Sequence, residues 1–166
     1  MKKIIVLLLA ITPILVFSQG AVKTEINWIS LEKAKQYANK YNKNILVYFF
    51  KKDCPYCEVM NKETLKDIDV VNLINNNFFS VKIDSRTKDT IIYNGIAYGN
   101  QQPQSSGRND WRHDFYAEVA SFTQNGTSRL TTPSIVIFNN KFEKINVFPG
   151  KQAKPLFLRR VKPYIK

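Results

Sequence analysis

The sequence predicts an α/β fold built on a central mixed β-sheet flanked by helices, and three observations predict it. Ile45-Leu46-Val47-Tyr48-Phe49-Phe50 is a continuous apolar run of strand length, which suits a strand covered on both faces. Helical patterns precede and follow it. Late in the chain, Ser134 to Phe138 and Phe142 to Phe148 read as two strands around Asn139-Asn140. Such a hairpin is antiparallel, so the sheet is mixed.

The N-terminus decides which residues belong to that fold. Met1-Lys2-Lys3 gives a positive start, Ile4 to Phe17 is apolar apart from Thr12 and Pro13, and Val16 and Ser18 form a small −3/−1 pair. This is the three-part pattern of a secretory signal and is short for a membrane span. Residues 1–18 are therefore read as a signal peptide cut after Ser18, leaving residues 19–166 as one domain. No later segment is apolar for long enough to span a bilayer, so the expected location is periplasmic or secreted. Lys2 and Lys3 leave with the signal, taking the formal charge from +12 to +10. A basic balance admits nucleic acid, anionic membrane or acidic proteins as partners. Export and the even spread of Lys and Arg argue against nucleic acid and for a solvated basic surface.

Within the domain, Ser30 is placed to cap a helix running to about Tyr41, with Leu31, Ala34, Ala38 and Tyr41 on one face. Asn42-Lys43-Asn44 breaks it before the central strand. Lys51-Lys52-Asp53 then turns into a helix opened by Cys54-Pro55-Tyr56-Cys57, carrying Cys57, Met60 and Thr64 or Leu65 inward. A short helix near Asp69 to Asn75 leads to a strand from Phe78 to Ile83, ending at Asp84. Residues 86–130 read as an insertion, with one helix from about Asp110 to Phe122 whose Trp111, Phe115 and Val119 share a face. The strand from Ser134, its return strand and a helix starting near Pro155 close the domain, the last with Leu156, Phe157, Val161 and Ile165 as its apolar set.

The chain has two cysteines, and they are two residues apart. A bridge between them closes too small a loop to act as a long-range tie, so chemistry explains the pair better. Thiol–disulfide exchange needs a thiolate, an accessible sulfur and a second thiol to resolve the mixed disulfide. Cys54 at a helix N-terminus meets free N–H groups and the positive end of the helix dipole. Pro55 fits the first turn, where its missing N–H costs nothing. Cys57, one turn on, is expected to face inward and resolve, with Cys54 accessible. Lys51 and Lys52 favour the thiolate and Asp53 opposes it. Zinc needs three or four protein ligands, and beyond the pair there is one histidine, His113. No metal or cofactor is therefore assigned, and His113 is read as an ordinary surface or packing residue.

The strand, the turn, Cys54-Pro55-Tyr56-Cys57 on a helix and Thr132-Pro133 before a later strand together resemble the thioredoxin superfamily, in particular its exported members. Trp28, the helix to Tyr41, Asn77 to Asp84 and Gly150 extend the likeness over residues 24–85 and 131–166. The resemblance implies a thioredoxin-like fold with an insertion before the strand that follows Pro133. It implies a cis Pro133 against the cysteine pair, with Thr132 offering backbone groups to a partner chain. It also implies catalysis by Cys54 and Cys57, with Pro55, Tyr56, Thr132 and Pro133 contacting the substrate. Two positions depart from the pattern. Tyr48 stands where the family has a buried acid, and Asp53 where it has Trp.

The function so implied is exchange of disulfides with protein substrates, the partners being protein thiols or disulfides and an unidentified redox partner. The alternative is a binding or chaperone-like module whose disulfide is structural.

Overall fold

The computed structural model describes residues 24–101 and 111–166. The expected signal peptide, 1–18, and its cut lie outside the described residues.

Helix α1 spans Leu31–Tyr41, and the Ser30 side chain accepts from Lys33 N as its cap, a contact worth about 1 kcal/mol. Ala34 and Ala38 are buried as expected. Tyr41 is not: it is 54% exposed, because it closes the helix at the sheet margin and packs only sideways against Tyr37 and Phe79. Asn42 turns the chain with φ 51 into β1, Asn44–Phe50. Cys54 caps α2, Pro55–Glu63. Helix α3, Ile68–Asn77, is capped by Asp67 and runs into β2, Phe78–Asp84.

Between β2 and the next sheet strand lie two short hairpins and a helix: β3, Ile91–Tyr93, with β4, Ile96–Tyr98; α4, Asp114–Ala120; and β5, Phe122–Gln124, with β6, Thr127–Arg129. The sequence reading missed both hairpins. Their signal was Asn-Gly, at Asn94-Gly95 and Asn125-Gly126. All four residues have positive φ, the conformation that two-residue hairpin turns require. The helix also starts later than Asp110. His113 caps it, its Nδ1 accepting from Phe115 N while its Nε2 lies 2.8 Å from the Asp89 carbonyl. Trp111 is thereby left outside the helix and 38% exposed, whereas Phe115 and Val119 are buried. His113 itself is buried and has a structural task.

Strand β7, Ser134–Phe138, turns through Asn139 to β8, Lys144–Pro149. The return strand begins two residues later than expected, because the Asn139 side chain accepts from Lys141 N and Glu143 N and enlarges the turn. Phe142 then sits in the turn with φ 64. Helix α5, Lys154–Val161, ends in a 3-10 turn, Lys162–Tyr164. Phe157 and Val161 are buried, Leu156 is partly buried and Ile165 is exposed. Tyr164 supplies the contact expected of Ile165, its ring 6.0 Å from that of Phe148.

The four-stranded sheet has the order β2-β1-β7-β8. β1 runs parallel to β2 and antiparallel to β7, and β8 is antiparallel to β7. Alternation along β1 divides the core. Ile45, Val47 and Phe49 face a layer with Ala34, Ala38, Phe115, Tyr116 and Val119. Leu46 and Tyr48 face Met60, Val70, Ile74, Phe157 and Val161. The fold is thus a mixed sheet between two helical layers, as predicted.

Lys154 Nζ lies 2.8 Å from an Asp67 oxygen and 2.7 Å from one of Asp69, tying α5 to the start of α3. The hydrogen bond from Lys154 holds Asp67 below the usual carboxylate range. A lowered acid stabilises the fold above its ordinary titration range and loses that effect as pH falls through the lowered value. The stability difference between wild type and Lys154→Met is therefore expected to be present at neutral pH and to vanish in strong acid. Denaturant melts along an acid series read it, and the surface setting makes it small.

Candidate active site

Two backbone features converge at the end of the sheet where β1 runs out. The first is the turn from β1 into α2. Asp53 has φ 57, a left-handed conformation that Asp tolerates better than bulky residues do. This gives a physical reason for Asp, rather than Trp, before Cys54. Arg86 donates to the Lys52 carbonyl at 3.1 Å and adds a guanidinium to this turn that sequence reasoning did not place there.

Cys54 and Cys57 are joined as a disulfide, with Cα atoms 5.2 Å apart. Cys54 is the N-cap of α2, and its Sγ accepts from Cys57 N at 3.2 Å. A hydrogen bond of this kind favours a thiolate once the pair is reduced. Pro55 and Tyr56 are exposed beside it, Tyr56 at 66%. The expected contrast between an open Cys54 and a shielded Cys57 is not what the structure shows: they are 4% and 3% exposed.

What covers Cys54 is the second feature, the loop entering β7. The Thr132–Pro133 peptide bond is cis. The Thr132 carbonyl oxygen lies 3.7 Å from Cys54 Sγ and its Oγ1 4.0 Å away. Pro133 is buried. Its carbonyl accepts from Gly150 N at 2.8 Å, and Gly150 takes φ 79 to present that N–H, a conformation that glycine adopts without a Cβ clash. All six residues singled out in the sequence therefore lie on the two segments that meet at the disulfide.

Tyr48 is fully buried beneath α2, where its hydroxyl is 3.5 Å from the Cys57 carbonyl. Burial pushes its phenol well above its ordinary range, so Tyr48 stays protonated at neutral pH and does not act as a carboxylate base. Trp28 stacks on its ring at 6.0 Å. Among the described residues no group of three or more His, Cys, Asp and Glu side chains gathers as a metal site. No helix among them is long and apolar enough to cross a membrane.

Solved structures share this fold. A DsbH oxidoreductase aligns with a TM-score of 0.57 at 15% identity, over 90% of this chain and 91% of that one. A thioredoxin from Thermus thermophilus aligns at 0.55 and 19% identity, over 84% and 86%. The C-terminal domain of Neisseria meningitidis DsbD in the oxidised form aligns at 0.50 and 14%, over 86% and 99%. These likenesses concern the fold. No curated protein matches the chain by sequence. The model of the thioredoxin-like domain matches residues 31–162. That span runs from the first helix through both cysteines and Thr132-Pro133 to the last, and the chain belongs to the thioredoxin-like domain family.

Proposed function

We propose that this chain is an exported thiol–disulfide oxidoreductase that exchanges disulfides with protein substrates through Cys54 and Cys57. The observation that carries the reading is the seat of Cys54. It caps α2 with its sulfur on the Cys57 N–H and faces the Thr132 backbone. The apolar run behind Met1-Lys2-Lys3 supports export.

In the reducing direction, the Cys54 thiolate attacks one sulfur of a substrate disulfide. A Cys54–substrate bond forms, the substrate bond breaks, and the departing thiolate takes a proton from water. Cys57, deprotonated, then attacks Cys54 Sγ. The Cys54–Cys57 bond forms, the second substrate thiol leaves, and the substrate has gained the two electrons that the pair has lost. Run backwards, the same steps oxidise a substrate dithiol. Thr132 orients the partner chain, and the exposed Pro55 and Tyr56 form the rim it meets. With Tyr48 protonated, the proton of Cys57 passes to solvent.

A second reading, a binding or chaperone-like module with a structural disulfide, is favoured by the 4% exposure of Cys54. Cys57→Ser separates the two. If exchange occurs, the variant accumulates mixed disulfides with client proteins through Cys54, visible on a non-reducing gel after acid quench and alkylation. A gel without such adducts, from periplasm that expresses the folded variant, favours the binding module.

A further inference from the structure

Tyr116 belongs to α4, in the segment between β2 and β7, yet its hydroxyl reaches the loop that covers the disulfide. It donates to the Thr131 carbonyl at 2.6 Å. Ser134 Oγ donates to the same oxygen at 2.5 Å. The two bonds differ in what they hold. Ser134 is three residues from Thr131 and shapes the turn internally. Tyr116 is fifteen residues away and ties the turn to the body of the protein.

The same side chain also touches the other half of the site. Its ring centroid is 4.9 Å from that of Phe49, on the strand that leads to Cys54. Tyr116 is fully buried. One residue thus bridges the strand that leads to the cysteines and the loop facing them. The next residue in that loop, Thr132, sets its carbonyl oxygen 3.7 Å from Cys54 Sγ.

We propose that Tyr116 is a positioning residue for disulfide exchange: it fixes Thr132 against Cys54, and through it α4 takes part in binding the partner's backbone. The proposal rests on the oxidoreductase reading. Backbone pairing with a substrate depends on placement to a fraction of an ångström, and a carbonyl that loses one of its two donors is held less firmly.

Tyr116→Phe keeps the ring and removes the hydroxyl. Two probes distinguish its effects: a peptide disulfide, whose backbone pairs with Thr132, and an aromatic disulfide such as dithionitrobenzoate, which has no backbone. The expected result is a rise of about three- to tenfold in KM for the peptide, the loss of one part-buried hydrogen bond. kcat, and the rate with the small disulfide, stay within about twofold. Ser134→Ala is expected to act in the same direction, and the double variant to exceed either. An unchanged peptide KM in Tyr116→Phe overturns the proposal, as does an equal loss with both probes, which is a general structural effect. A wild type inert towards both probes instead overturns the oxidoreductase reading, and this inference with it.

Discussion

Cys54→Ser is expected to lower the rate of peptide-disulfide exchange by at least about a thousandfold, to the uncatalysed background, while leaving the fold in place. The first half follows from chemistry. Exchange begins with an anionic nucleophile, and a serine hydroxyl does not ionise near neutral pH. The second half follows from position. Cys54 is an N-cap whose side chain accepts from Cys57 N, and Ser is among the best residues for that task. The lost disulfide closes a loop of sequence separation 3, too short to add much by loop closure. The reduced variant is therefore expected to melt within about 1 kcal/mol of the reduced wild type. Stopped assays with a peptide disulfide, run beside thermal melts, check both halves. Exchange surviving at more than a tenth of the wild-type rate would remove Cys54 from the nucleophile's role.

The parts of this site that sequence made legible are those with local chemistry. A cysteine pair two residues apart with Pro between them marks a helix start, and Ser30 and Ile45 to Phe50 carry their caps and packing in their own side chains. What could not be read depends on contacts between distant residues. The place of Thr132, 78 residues from Cys54, follows only from the family resemblance, and nothing near Cys54 announces it. Tyr116 lies beside the Trp111-Phe115-Val119 stripe, and its partner Thr131 is outside the helix. The two hairpins are a different matter. Asn94-Gly95 and Asn125-Gly126 state their turns plainly, but the flanking strands are three residues long, too short for alternation to register. His113 shows the same limit at a helix start. A lone histidine reads as a surface or packing residue, and the choice is made only by Phe115 N and the Asp89 carbonyl on its two ring nitrogens.

Those hairpins and α4 need an anchor, and Phe115→Ala tests which residue provides it. Its ring is fully buried and meets five others: Phe49 and Phe138 from the sheet, Tyr93 and Tyr98 from the first hairpin, and Phe142 from the β7–β8 turn, with centroids 5.5 to 6.3 Å away. Truncating such a ring removes its transfer free energy and leaves a cavity that the surrounding rings cannot all close at once, for a cost of about 3–5 kcal/mol. Ile96→Ser, on the exposed tip of the same hairpin, serves as the control and is expected to stay within about 0.5 kcal/mol. Urea unfolding of the two variants reads the contrast directly. The effect should also reach the chemistry, since Phe115 and Tyr116 are consecutive in α4 and a loosened helix no longer holds Thr131. Peptide-disulfide exchange should then weaken even below the melting range, more than exchange with a small disulfide does. A Phe115→Ala protein less than about 1 kcal/mol weaker than wild type would mean that α4 is held from elsewhere, and that Tyr116 has no rigid base from which to place the loop.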